Sequence, residues 1–414
     1  MSYCYSNRNR KLTLIMASGG LVLVFLLIVA TFGSTIGLRK TRGRGLTSTV
    51  SPERQIHPDK ELQLVHLVYR HGPRTPADTY PNDPYFNETF SPVGWGQITN
   101  GGKRTLYKIG QWLRKRYDTF LGRHYMPDLL HAQATGVSRT HMSLATVLSG
   151  MWPPKNTPME WNRALNWQPI PIYSQALDED TLLLVRTSCP RYYEAVEEVL
   201  QLPEVKSVID KYRPMMKQLE KITGMKIKTP EDVGSLFSTL KAEQEYGLEL
   251  PPWTKEYFPD KLIELSELSY IYNVYTDELQ RVKGGPFLKK MFKEWVEKRD
   301  NKLSPKDRKL FIYTGHDSTV VNILSALKIW EQQYPVYAIM SMFELYKDKK
   351  TGEYGVEVYL RNTTAGEPTP LTIPGCTFHC PLDKVIELAQ PIVKEEASCT
   401  AKNSEFTEPP PSGP

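Results

Sequence analysis

Apolar residues in this chain gather into short runs that read as buried strands, separated by stretches of helical periodicity. The first run, residues 62–69, is rich in Val, Leu and Tyr and stops at Arg70. A continuous apolar run of that length, closed by a turn signal, is the pattern of a strand in a core. A second run covers 128–135 and breaks at Gly136; a third covers 309–314 and breaks at Gly315. Leu106, Ile109 and Leu113 recur at helical spacing over 103–117, and helices are also predicted over 141–151 and 319–327, each just after a strand. From 189 to 300 the pattern is mostly helical, clearest over 192–200 and 287–299 and less clean over 206–222. Two alternating stretches, 336–346 and 354–360, flank a polar turn and predict a β-hairpin.

A different apolar run lies near the amino end. Residues 12–38 carry no charge and are densest over 21–30. A bilayer core needs roughly 20 apolar residues in a helix, whereas a cleavable signal usually has about 7–15. The length favours a signal-anchor spanning 12–38, with 1–11 as a cytosolic tail. Ala30, Gly33 and Ser34 keep signal-peptide cleavage open. The segment is flanked on both sides by cations (Arg8, Arg10, Lys11, Arg39, Lys40, Arg42, Arg44), so the positive-inside rule barely chooses an orientation. These residues account for the net charge of +6. The basic excess therefore belongs to a membrane flank, and no nucleic-acid partner is expected. Residues 39–60, with Pro52 and Pro58, read as a stalk, and 400–414 as a disordered polar tail.

The chemistry sits where the strands stop. The first ends in Arg70-His71-Gly72-Pro73-Arg74-Thr75-Pro76. Glycine and proline force a stiff turn, and the turn carries two guanidinium groups and an imidazole. Guanidinium forks match phosphate oxygens in bidentate geometry. Cations at the carboxyl end of a core strand therefore describe an anion site. Arg139 stands at the second strand-to-helix turn, where a helix amino terminus also favours anions. By itself it reads as structural. The third strand ends in Gly315-His316-Asp317-Ser318, where Asp317 or Ser318 would serve equally well as a helix N-cap.

Together these stretches resemble the histidine acid phosphatases, a branch of the histidine phosphatase superfamily. The resemblance runs from about residue 62 to 399 and includes Asp78–Pro84, Gly96–Thr99, Trp167–Pro171, Cys189–Arg191 and Pro374–Cys376. It implies an α/β fold: a mostly parallel central sheet with helices on both faces, over 61–171 and 301–399, plus a smaller all-helical cap inserted over 172–300. It implies His71 as nucleophile, forming a phosphohistidine, and Asp317 as general acid. Arg70, Arg74, Arg139 and His316 would bind the phosphate of a phosphate monoester. Relatives often carry acidic residues at the positions of Gly136 and Ser138, which leaves the partners orienting Arg139 open. The resemblance also implies the disulfides Cys189–Cys399 and Cys376–Cys380, and it leaves a homodimer open. His66, two residues before Val68, reads as a core or interface histidine.

Taken alone, Cys376 and Cys380 resemble half a zinc site, but no second ligand-spaced pair lies nearby. The other histidines form no such set and there is no Walker loop, so neither metal nor cofactor is expected. Asn87 and Asn362 head glycosylation sequons. With the cysteines they place the domain in an oxidising compartment, lumenal or extracellular, as a single-pass type II membrane protein, or secreted if the leader is cleaved. The reaction expected is acid phosphatase hydrolysis. The alternatives are a phosphoryl mutase or transferase of the same superfamily and a non-catalytic phosphate-ligand-binding protein.

Overall fold

The computed structural model describes residues 58–184, 188–363 and 365–409. The expected cytosolic tail, the apolar segment 12–38 and nearly all of the stalk lie outside them, as do Cys4 and 410–414. Among the described residues no helix is long and apolar enough to cross a membrane.

The chain enters the sheet with β1 (Lys60–Arg70), followed by α1 (Asn100–Arg116), α2 (Asp118–Leu121), β2 (Leu130–Ala134) and α3 (Ser138–Met151). The helical insertion holds α4 (Pro190–Gln201), α5 (Pro203–Thr223), α6 (Pro230–Tyr246), α7 (Thr254–Tyr257), α8 (Asp260–Tyr272) and α9 (Asp277–Lys283). Then come α10 (Gly285–Arg299), β3 (Leu310–Gly315) and α11 (Asp317–Ala326). The chain closes with β4 (Met340–Asp348), β5 (Tyr354–Arg361), β6 (Thr369–Leu371), β7 (Cys380–Pro381), α12 (Leu382–Leu388) and α13 (Gln390–Val393).

Strand order is β2-β3-β1-β4-β5-β6, with β7 on β5. β1 lies parallel to β3, and β3 to β2; every pairing beyond β1 is antiparallel. The α/β class holds, but the sheet is mixed rather than mostly parallel. The connection 327–339 delivers the chain to the carboxyl end of β1, where Met340 faces Tyr69, so β4 has to descend beside it. The predicted hairpin β4–β5 then extends the antiparallel half.

β1 is apolar throughout because both faces are covered. Val65, Leu67 and Tyr69 face the core shared with α1 and α3, while Leu64 and Val68 face that shared with α10 and α11. His66 lies on this second face, stacked on Phe311 at 4.6 Å. Trp295 Nε1–H donates to its Nδ1 (3.2 Å), so its Nε2–H donates to Glu294 (2.8 Å). It is a core histidine with both nitrogens satisfied. α10 lies inside the expected cap range but packs on the sheet through Phe287, Leu288, Met291 and Trp295. The insertion's own core is built mainly from α4 to α9.

Two expectations about the carboxyl end are answered here. Cys189–Cys399 and Cys376–Cys380 are bonded. Residues 400–409, expected to be disordered, are placed against α4: the amides of Lys402 and Asn403 each donate to the Glu194 carboxylate at 2.8 Å. The disulfide brings the segment alongside α4, and those bonds hold it there.

The insertion is fastened to the loop after the Arg70–Pro76 turn. Asn82 donates its amide to Thr223 O (3.0 Å), and Tyr85 Oη donates to Glu249 O (2.7 Å). Glu243 of α6 is fully buried beside Asp83. Burial, with the Asp83 charge, pushes its carboxyl up to about 8 from an ordinary 4.5. The neutral form is thus favoured by folding. Its stabilising contribution is complete below about 4.5 and fades as pH rises through about 8. Thermal melts should accordingly show a lower Tm at pH 8 than at pH 5, and Glu243→Gln should remove most of that slope. An unchanged slope in the variant would assign it to other groups.

Candidate active site

The two strand ends meet because β1 and β3 run in register, Arg70 opposite Gly315. Both strands give out at the same level. The His71 amide bonds to Gly315 O at 3.0 Å, and the Ala338 amide to His71 O at 3.1 Å. One step across, the Thr135 amide bonds to Thr314 O at 3.1 Å, which sets the start of α3 beside the same pocket. α1 presses on the turn from below: a Cβ on Gly102 would lie 2.3 Å from the Pro73 carbonyl oxygen. Thr99 caps that helix by accepting from the Gly102 amide.

All six expected phosphate-site residues converge, and all are largely buried except Asp317. His71 is 2% exposed and Arg70 is 1% exposed, whereas the Asp317 side chain is 24% exposed and so stands at the mouth. His71 Nδ1 lies 3.0 Å from the Gly72 carbonyl oxygen. A carbonyl can only accept, so Nδ1 carries the proton and Nε2 keeps its lone pair. Burial, together with Arg139, Arg70, His316 and Arg74, holds the imidazole well below its ordinary 6.5. Burial and the surrounding cations therefore favour the neutral ring. Burial and Arg74 push the Arg139 guanidinium down to about 10. Cations crowded in a dry pocket repel one another, and an anion relieves that repulsion.

Each cation is aimed by its surroundings. Arg70 bonds to the Pro335 carbonyl and to Asp317 Oδ2 (2.9 Å), and its guanidinium lies 4.3 Å from the Tyr337 ring centroid. Arg74 bonds to Thr75 O (2.9 Å) and reaches Ser238 Oγ on α6 (3.3 Å). Arg139 stands in the first turn of α3, which begins at Ser138, three residues earlier than expected. Its Nη2 lies 3.3 Å from His316 Nδ1, which answers the open question of what orients it. His316 Nε2 faces Thr135 Oγ1 at 3.1 Å, and that hydroxyl donates on to Thr140. The chain of donors puts the proton on Nε2 and leaves Nδ1 to accept from Arg139. His316, not Asp317, is the N-cap of α11, and Asp317 is the first helical residue. There its Oδ1 accepts from the Ser318 amide at 2.8 Å. Burial alone would raise the Asp317 carboxyl. Arg70, His316, that amide and the Tyr270 hydroxyl outweigh burial and hold it below the usual carboxylate range.

Sequence reading missed Thr135, Ser238, Tyr270, Tyr334 and Tyr337. Thr135 closes the second strand but carries no charge to mark it, the other four lie away from the strand ends, and Tyr334 and Tyr337 arrive on the connection that reverses the sheet. Asn87 and Asn362 are both exposed. Among the described residues no cluster of His, Cys, Asp and Glu suited to a metal occurs.

A core-strand imidazole with a free Nε2, ringed by guanidinium groups and faced by a carboxyl, on this sheet, defines a histidine phosphatase fold. The profile of the "Histidine phosphatase superfamily (branch 2)" matches residues 61–361, and the chain belongs to that family. It is 38% identical over 357 residues to a prostatic acid phosphatase of Bos taurus, covering 84% of this chain and 90% of the relative. It is 35% identical over 341 residues to a lysosomal acid phosphatase of Homo sapiens, covering 81% and 79%. A Hafnia alvei phytase bound to tartrate shares the fold with TM-score 0.64 at 17% identity, over 82% of this chain and 98% of that one.

Proposed function

We infer that the chain is an acid phosphatase that hydrolyses phosphate monoesters through a phosphohistidine on His71. The observation that carries this is the unprotonated Nε2 of His71 set among Arg70, Arg74 and Arg139, with Asp317 across the opening. A phosphate dianion entering the pocket takes Arg70 partly from Asp317 and adds negative charge beside the carboxyl. Both changes raise the affinity of Asp317 for a proton. Nε2 then attacks phosphorus as the ester P–O bond breaks. The leaving alkoxide takes the proton of Asp317, and the guanidinium groups hold the charge gathering on the phosphoryl oxygens. In the second half Asp317, now ionised, removes a proton from water. That water attacks phosphorus, the P–N bond breaks, and His71 returns neutral with phosphate free. His316 supports both halves by holding Arg139 and can donate to phosphate only if its Nδ1 gains a proton.

Two titrations set the pH dependence. Asp317 must hold a proton for the first step, yet its affinity is depressed, so turnover of alkyl phosphates should rise as pH falls. His71 must stay neutral, and burial among the arginines favours that form by lowering its proton affinity. Phosphate release measured from an aryl phosphate should be undiminished by EDTA. Little release would favour a mutase or transferase, and none a binding protein.

The bonded cysteines and exposed sequons support a lumenal or extracellular domain. We place 12–38 as its membrane anchor in type II orientation. Alkaline extraction of membranes from expressing cells separates an anchored chain, which stays in the pellet, from a cleaved and soluble one.

A further inference from the structure

The nucleophile and one of its arginines lean on a single turn. Where the connection 327–339 reaches β4, the Ile339 amide closes on Val336 O at 3.1 Å, and Ala338 takes a φ of 60°, in the left-handed region that alanine rarely adopts. Such backbone persists only where its surroundings over-determine it. β1 supplies that constraint: the Arg70 amide bonds to Ile339 O at 3.0 Å, and the Ala338 amide to His71 O at 3.1 Å. On the insertion side, Phe237 of α6 packs edge-on against Tyr334, ring centroids 4.8 Å apart. So held, the turn presents the buried Tyr337 to both neighbours. Its ring centroid lies 4.3 Å from the Arg70 guanidinium carbon and 5.7 Å from the centre of the His71 ring.

We propose that Tyr337 is a positioning residue whose ring face fixes the plane of the Arg70 guanidinium for phosphate. The inference rests on the reading of Arg70 as a phosphate ligand. Along its edge, Arg70 Nη1 donates to Pro335 O and Nη2 pairs with Asp317 Oδ2, while Nε–H has no hydrogen-bond partner among the described residues. Phosphate loosens the hold of Asp317. The Pro335 carbonyl by itself would then leave the guanidinium free to turn about one bond. A ring against its flat side stops that rotation and occupies no N–H. The cation is drawn to the negative face of the ring, most strongly where water is excluded. A carboxylate in the same place would also hold Arg70, but it would compete with phosphate for the same donors. Pro335 O and Tyr337 come from one turn, so the edge and the face of the guanidinium are set together.

The test reads phosphate affinity apart from turnover. Inorganic phosphate is titrated calorimetrically into the full chain carrying Tyr337→Phe, Tyr337→Leu, or phenylalanines of increasing ring fluorination at 337. Fluorine keeps the shape and drains negative charge from the face. Tyr337→Phe should bind within about twofold of wild type, because the ring remains. Tyr337→Leu should bind about tenfold more weakly, since an arginine correctly placed a tenth of the time lowers apparent affinity in that proportion. The fluorinated series should weaken binding stepwise, and kcat/KM for an aryl phosphate should fall with it. In an Arg70→Gln background, with no cation over the ring, Tyr337→Leu should add little. Equal losses in Tyr337→Phe and Tyr337→Leu, a flat fluorine series, or an undiminished effect with Arg70 already replaced would each overturn the proposal. Should Tyr337→Leu not fold, the fluorinated series decides, because it leaves the packing intact. If Arg70→Gln itself leaves phosphate affinity unchanged, the reading of the phosphate site fails first. If it weakens binding and the Tyr337 series is flat, only Tyr337 is wrong.

Discussion

Replacing His71 with Ala should lower turnover on the order of a million-fold, the scale on which loss of a covalent nucleophile acts. Folding should survive. The side chain is buried, but its backbone, not its ring, joins β1 to Gly315 and Ala338. The arginines would still bind phosphate, so inorganic phosphate should remain a ligand of the variant. What disappears is the bond between Nε2 and phosphorus. Rapid quenching of wild-type enzyme with a labelled aryl phosphate should trap an acid-labile phosphoenzyme, and the variant should trap none. Near-normal turnover by folded His71→Ala would remove the nucleophile from the scheme, whatever the family.

The second large effect is selective. Asp317→Asn keeps the shape at the start of α11 but has no proton of the right acidity to give. General acid help contributes about a hundred- to ten-thousandfold where the leaving group is poor. An alkyl phosphate should therefore lose activity on that scale, while an aryl phosphate with an acidic phenol, which departs without help, should lose far less in phosphorylation. Because Asp317 also activates water, the aryl ester should accumulate phosphoenzyme in the variant. Equal slowing of the phosphorylation step, read in a single turnover, across leaving groups would instead indicate that Asp317 matters in that step only as the counter-ion that holds Arg70 at 2.9 Å.

The site was legible in parts. Arg70, His71 and Arg74 are contiguous, and stiff residues at the end of an apolar run announce them. His316 and Asp317 are adjacent, but a His-Asp pair at a helix start is ambiguous until its neighbours are known. Arg139 reads as structural by itself, because one guanidinium at a helix start carries no information about what else faces it. The individual strands, the helical stretch after residue 189 and the hairpin followed from periodicity, while the α/β fold and the inserted cap were what the family resemblance implied. The mixed sheet did not, since the direction of β4 depends on where the connection 327–339 travels, and an irregular segment has no period to read. The placement of 400–409 likewise depends on a disulfide closing over 210 residues and on Glu194, neither of which polar composition reveals.

The amino-acid sequence determined the chemical inventory of this protein: an imidazole, a carboxyl and three guanidinium groups, each fixed at a point where a core element must end. These are local facts, set by which residues follow an apolar run and which side chains can carry charge. Tertiary structure decided what that inventory can do. The in-register pairing of β1 with β3 puts His71 next to Gly315, the Gly72 carbonyl chooses the His71 tautomer, and His316 turns Arg139. Burial among like charges then sets the protonation of the nucleophile. Proton affinity depends on distance and solvation, and only the folded chain brings residues so far apart in sequence into one dry pocket.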